Sequence, residues 1–326
     1  MLRLFRSNQI FTSVLLIFYI GALQASVFWA PFKWAPVGQG LFSEWLYGWV
    51  GSQTPVAHIV AMFLLLVQGF MVNALAINHR LSNEVNLFPG VFFVLLSCAI
   101  PDFLYLSPEL LGDTFFLLAL LQLMEVYKVP ACADSIFNAG LCVSLASFFY
   151  FPFLFFFVVL VAGLNILRAF KLREQLIMFS GILVPYFLLG VYYFWFDRFD
   201  YFWEIQIGRN ADFLSFGITL AAGIYWKLAA FALLLLTLLF NNSSYFQKKD
   251  IKAQKKISIL NWVLAGVAIS ALFQSTVTLE HLMLLAIPGG IFLAITFTAM
   301  KPQVAEALHF ILFVSVLAMQ FSIWLL

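Results

Sequence analysis

"NAGLCVSLASFFYFPFLFFFVVLVAGL" (138–164) is the stretch on which the fold turns. It is apolar almost throughout and is broken once, at Tyr150-Phe151-Pro152. A bilayer-spanning helix needs about 20 apolar residues. The stretch is therefore either one kinked helix or two short passes folded back at the proline, and the choice inverts the sidedness of everything after it. Charge decides, because loops left in the cytoplasm are enriched in Lys and Arg. With two passes here and about eleven in all, Arg3, Arg6, Arg80, Lys128, Arg168, Lys171, Arg173, Lys248, Lys249, Lys252, Lys255, Lys256 and Lys301 lie on the inner side. The outer side then holds only Lys33, Arg198, Arg209 and Lys227. One kinked helix would move Arg168 and every later inner cation outside. Two passes are the consistent reading.

Composition sets the class around that stretch. Hydrophobic residues make up 64% of the 326, charged residues 10%, and mean hydropathy is +1.01. A soluble domain carries about 25% charge, so this chain reads as an all-α, polytopic transmembrane helix bundle. Spans are expected near 10–30, 55–77, 87–106, 110–127, 136–149, 151–167, 175–196, 223–240, 258–273, 282–300 and 304–325. The expected organisation is a transmembrane module over 1–240, a basic cytoplasmic loop over 241–257 and carboxy-terminal transmembrane helices over 258–326. A net charge of +2 with no basic face interleaved with aromatics excludes nucleic acid as a partner.

Cys98, Cys132 and Cys142 form no C-x-x-C or Cys/His pair, and His58, His79, His281 and His309 are scattered. Neither a disulfide framework nor a metal site is indicated. No cofactor can be named. "QKKDIKAQKK" (247–256) reads as a topology anchor near anionic lipid. At the amino terminus "ALQAS" (22–26) resembles a signal-peptidase site, but the apolar run continues through Val27, Phe28 and Trp29, which favours a retained anchor with its N-terminus in the cytoplasm. There is no internal repeat and no inverted pair of broken helices of the transporter kind.

The acids lean the other way. Glu44, Asp102, Glu109, Asp113, Asp197, Asp200, Glu204, Asp212 and Glu280 fall on the outer side and converge on loops 31–54, 101–113 and 197–227. In "LSPELLGDTFFLLALLQL" (106–123), Ser107-Pro108-Glu109 is a helix start: a cap, a first-turn proline and an acid at the positive end of the dipole. Asp113 lies one turn deeper, where a carboxylate costs several kcal/mol unless paired or wet. It is expected either to snorkel toward headgroups or to line a watery cavity open outward. "LFSEWLYGWV" (41–50) is an amphipathic interfacial stretch with Trp45, Tyr47 and Trp49 as belt anchors and Glu44 as its one acid. "FDRFDYFWEIQIGRNADFLSFGITLAAGIYWK" (196–227) mixes Arg198 and Arg209 with acids and aromatics, a palette that holds phosphates and sugars and is also common in plain interfacial loops.

The layout resembles the amino-terminal module of the GT-C superfamily, multi-pass glycosyltransferases that take sugars from polyprenyl-phosphate carriers. The residues that carry the resemblance are the acid-bearing first outer loop, "NHRL" (78–81), the segment 87–128, the bent pair 138–164 and "WEIQIGRNADFLSFG" (203–217). It covers roughly 1–240 and rests on pattern. It implies that Asp113 faces an outer cavity and that Arg209 meets the carrier phosphate. The chain departs from the superfamily in its first outer loop, where Glu44 stands alone instead of an Asp or a pair of acids. The whole sequence is also similar to an uncharacterised family of bacterial polytopic membrane proteins, which places it in the bacterial inner membrane.

Three functions follow. The first is transfer of a sugar from a polyprenyl-phosphate donor at the outer face, with Glu44 and Asp113 as catalytic acids and Arg209, Arg198, Glu109 and Asp102 contacting substrate. The second is a non-catalytic component on the same scaffold that binds lipid or a partner. A transporter ranks third, because the helix centres hold mostly neutral groups such as Gln68, Asn73 and Asn165.

Overall fold

The computed structural model describes residues 2–6, 10–29, 35–82, 84–210, 249–274 and 278–321, with a few positions between 229 and 246. Among these the chain is helical, and the β pairing is an isolated antiparallel bridge between Gln39 and Tyr150. In order come α1 (Ile10–Leu23), α2 (Ala25–Trp29), α3 (Leu41–Val50), α4 (Pro55–Asn78), α5 (Phe88–Ser97), α6 (Pro108–Glu125), α7 (Ala133–Phe149), α8 (Phe157–Leu167), α9 (Leu172–Trp195) and α10 (Phe199–Trp203). Helices Ile251–Ala271, Ala286–Ala299 and Pro302–Phe321 follow. Most of the expected span 223–240 and residues 211–227 of the expected loop 197–227, with Asp212 and Lys227, lie outside the described residues.

Four stretches are long and apolar enough to cross a membrane: Pro55–Asn78, Leu172–Trp195, Leu279–Ala299 and Pro302–Phe321. Shorter apolar helices include Ala133–Phe149 and Phe151–Leu167. The chain is a helical membrane protein. Expected span 87–106 is cut short, because α5 ends at Ser97 and a 3-10 turn occupies Pro101–Leu104. Ile100 ahead of that proline is extended (φ −127°, ψ 154°), the conformation that proline imposes on its predecessor.

Packing settles the stretch 138–164. Glycines let α7 and α9 meet backbone to backbone: a Cβ on Gly140 would strike the Met178 carbonyl, and one on Gly181 the Phe137 carbonyl. Further along, the Ser147 and Tyr186 hydroxyls lie 2.7 Å apart. Contacts that advance together along both helices mean that α7 and α9 run parallel. The chain must therefore cross back between them, through the 3-10 turn Phe151–Phe156 and α8. The fold-back at Pro152 that the two-pass reading expects is present.

The described ion pairs respect the same alternation. Arg6 meets Glu84 at 3.1 Å, Arg168 meets Glu174 at 3.0 Å, and the Arg3 backbone N–H donates to Glu306 at 2.9 Å, all at the end expected to be inner. Arg209 and Glu204 pair at the other end. The later helices pack directly on the earlier ones, with Gly290 against the Phe93 backbone and Gly266 against Val159 and Phe156. Small residues at such crossings are how helices associate where lipid and side chain are equally apolar.

Candidate functional site

The first loop expected on the outer side is pinned from three directions. Gly40 donates its N–H to Phe149 O at 2.9 Å, in a space where any Cβ would overlap the Phe148 carbonyl. Ser43 donates to the same Phe149 oxygen at 2.9 Å. Leu41 donates its backbone N–H to Gln206 Oε1 at 3.1 Å, while Gln206 Nε2 donates to Ser147 O at 2.8 Å. Gln206 is buried in the π-helical turn Glu204–Gly208. One glutamine thus ties the start of α3, the end of α7 and the loop after α10 into a single piece.

That piece carries Glu44. Its side chain is half-buried and stands against the Tyr201 hydroxyl, close to Tyr193. Arg198 and Arg209 are near enough to act on Tyr201 as well. Burial, followed by the Glu44 charge, holds the Tyr201 phenol above its ordinary range, so it remains a donor. Beside this charged patch a groove of about 490 Å³ runs between α3, the first turn of α6 and α9. Phe42, Trp45, Leu46, Leu111, Leu189 and Tyr193 are among its lining residues. Trp45 and Trp49 project outward, as expected of interfacial anchors, whereas Tyr47, expected beside them, turns inward to Leu106 O.

Helix α3 also reaches a second cluster. Tyr47, one turn after Glu44, donates its hydroxyl to Leu106 O at 2.6 Å and sits close to Glu109. Burial, then the Glu109 charge, pushes the Tyr47 phenol well up. Ser107 caps α6 by accepting from Leu110 N at 3.1 Å, with Pro108 in the first turn. The local reading of this helix start was correct, but Glu109 does not face water. It is 1% exposed and Asp113 is 0% exposed, and no donor reaches either carboxylate with hydrogen-bond geometry, although the Tyr150 and Ser107 hydroxyls lie close to Glu109. The two acids share one helix face, four residues apart.

Behind them lies a network that the sequence reading did not single out. The Tyr150 hydroxyl is 3.0 Å from His281 Nδ1 and accepts from Gln274 Nε2 at 2.9 Å. His281 Nε2 is 3.0 Å from Val267 O, so that nitrogen carries the proton and Nδ1 accepts. Glu280 is near enough to act on both Glu109 and Tyr150. His281 gave one signal in sequence, an ionisable residue inside an apolar segment. Tyr150 gave another, an aromatic hydroxyl at a helix break. Their partnership, across 131 residues, gave none.

The structure therefore groups Glu44 with Arg198 and Arg209 at the surface, and Glu109 with Asp113 in the interior. Asp102 is half-buried on the turn Pro101–Leu104, on the same outer end. Among the described residues no three His, Cys, Asp or Glu side chains are arranged to hold a metal ion.

No family model matches the chain, and no curated protein matches it. Among solved structures the chain is similar to ArnT from Cupriavidus metallidurans, crystallised with undecaprenyl phosphate bound, at a TM-score of 0.46 and 14% identity. The match covers 87% of this chain and 56% of that one, so this chain spans little more than half the length of that protein. No residue is transferred across a likeness this loose.

Proposed function

We propose that the protein binds a polyprenyl-phosphate sugar at the outer face of the bacterial inner membrane and transfers the sugar to a hydroxyl acceptor. The observation that carries this reading is the pairing of an apolar groove with a charged rim. The groove beside α3 suits an isoprenoid chain, and Arg198 and Arg209 on the adjoining loop suit its phosphate. Glu44 stands against Tyr201, the same phenol on which both arginines act. In the proposed step Glu44 removes the acceptor hydroxyl proton from within about 3 Å. The oxygen attacks the anomeric carbon, and the polyprenyl phosphate leaves with its charge met by arginine. One base opposite one leaving group predicts inversion at the sugar. Glu109 and Asp113 are enclosed and do not line the groove, so neither takes part in this step.

The burial of Asp113 favours a second reading, in which the same groove binds a lipid or partner without catalysis. Enclosed carboxylates are not poised to touch substrate as the chain stands. The two readings separate by substitution. Glu44→Gln and Arg209→Gln are assayed in membranes for lipid-linked sugar consumption and for retention of polyprenyl phosphate. Loss of turnover in Glu44→Gln with lipid retained supports the transferase. Retention of lipid with no turnover in wild type supports the binding component. Wild-type behaviour of both variants, with the fold intact, removes both readings.

A further inference from the structure

The other end of the bundle holds a second cluster, about 36 Å away along the 24 residues of α4. Helix α4 ends in a tight reversal: Leu81 N–H donates to Ala76 O at 2.9 Å, and Arg80 takes φ 55°, a left-handed position usually given to glycine. The turn sets His79 and Arg80 beside the first turn of helix Ile251–Ala271. Between them is a cavity of about 340 Å³ lined by Asn78, His79, Arg80, Asp250, Lys252 and Ala253. A neighbouring cavity of about 330 Å³ shares Arg80 and Asp250 with it and adds Lys249. Its other acid, Glu84, is already engaged by Arg6.

Beneath this trough Lys256 Nζ lies 2.6 Å from His79 Nδ1, and both side chains are more than nine-tenths buried. An ammonium has only protons to give, so Lys256 donates and His79 Nδ1 accepts. The ring proton is then on Nε2, a buried donor that meets no acceptor. The helix entered at Ile251 has Asp250 at its cap position, yet no side chain caps its first amides. An uncapped helix start and the side chains of His79, Arg80 and Lys252 line one space, and Lys249, which donates to Leu81 O at 2.7 Å, lines the adjoining one, against the single carboxylate of Asp250. Every one of these groups except Asp250 is complemented by an anion with several oxygens.

We propose that this trough is a binding site for a phosphate-class anion, supplied either by an anionic lipid headgroup or by a soluble phosphate compound. It stands apart from the groove at the outer end and does not rest on the transferase reading. Its size is at the lower end of ligand pockets, which run from about 300 Å³ upward.

The test uses the full chain in two arms. In phosphatidylcholine nanodiscs it is titrated calorimetrically with inorganic pyrophosphate. In detergent, native mass spectrometry follows retention of phosphatidylglycerol over phosphatidylcholine. Lys252→Gln and Arg80→Gln change exposed side chains, and their melting temperatures verify the fold. Lys301→Gln, an exposed cation at the same end, is the control. We expect saturable one-to-one binding in at least one arm, weakened about ten-fold or more by either variant and unchanged in the control. Pyrophosphate binding identifies a soluble source, and phosphatidylglycerol retention a lipid one. Absence of saturable binding in both arms overturns the proposal, as does weakening by Lys301→Gln equal to that by Lys252→Gln.

Discussion

Asp113→Asn is expected to stabilise the protein. The carboxylate is 0% exposed, meets no donor, and lies one helical turn from the equally unserved carboxylate of Glu109. A buried polar group without a partner costs about 1–3 kcal/mol, and a hydrogen bond to a charged group contributes about 1.5–3. An amide in place of the Asp113 carboxyl keeps the shape and supplies a donor four residues from Glu109. Part of this gain is lost because the amide oxygen is still unserved, which leaves about 1–2 kcal/mol. Unfolding entropy of about 2.1 cal/mol/K per residue gives about 0.7 kcal/mol/K over 326 residues. The melting temperature should therefore rise by roughly 1.5–3 °C. Thermal unfolding of purified protein in one detergent, followed by tryptophan fluorescence, measures it. A fall of several degrees would refute the reasoning, since it would mean that the Asp113 carboxylate is a satisfied structural group. If the acid is retained for function, the more stable variant should also be the less active one.

Three further outcomes are expected. Glu44→Gln should lower sugar transfer about 10²–10⁴-fold, the usual contribution of a positioned base, and leave the melting temperature unchanged because the residue is only half-buried; lipid-linked sugar turnover measures it. Gly181→Ala should destabilise by about 1–3 kcal/mol, the cost of overpacking, because its Cβ would strike the Phe137 carbonyl and force α7 from α9; the loss should appear as a lower unfolding temperature. Acid should weaken the inner end. Burial, aided by Lys256 and Lys252, lowers the His79 pKa from 6.5 to about 3. Between those values the unfolded chain binds a proton that the folded one does not, so stability falls as pH drops from 6.5 toward 3. His79→Gln should flatten that limb in melting temperature recorded against pH.

Local chemistry was legible from residues alone. Ser107-Pro108 starts α6 as its residue types dictate, with Ser107 accepting from Leu110 N. The sorting of Arg6, Arg168, Lys249 and Lys256 to one end followed from charge bias, and so did the fold-back at Pro152. Each of these depends on neighbours in sequence or on a rule about loops. The candidate site was less legible. Glu44, Arg198 and Arg209 were visible as polar residues in outer loops, but Tyr201 and Gln206, which bring them together, looked like any other loop residues.

Burial was decided by the tertiary structure. In water, a helix shows which face it hides, because polar residues mark the other. Here α6 and α9 are apolar nearly all round, since lipid and protein interior make the same demand on a side chain. Nothing in the pattern says that Asp113 is enclosed while Leu183 and Phe187 face outward. The meetings of Tyr150 with His281 and of His79 with Lys256 join residues more than a hundred positions apart. Chain order carries no record of which helices become neighbours; close approach at Gly140, Gly181, Gly112 and Gly290 does.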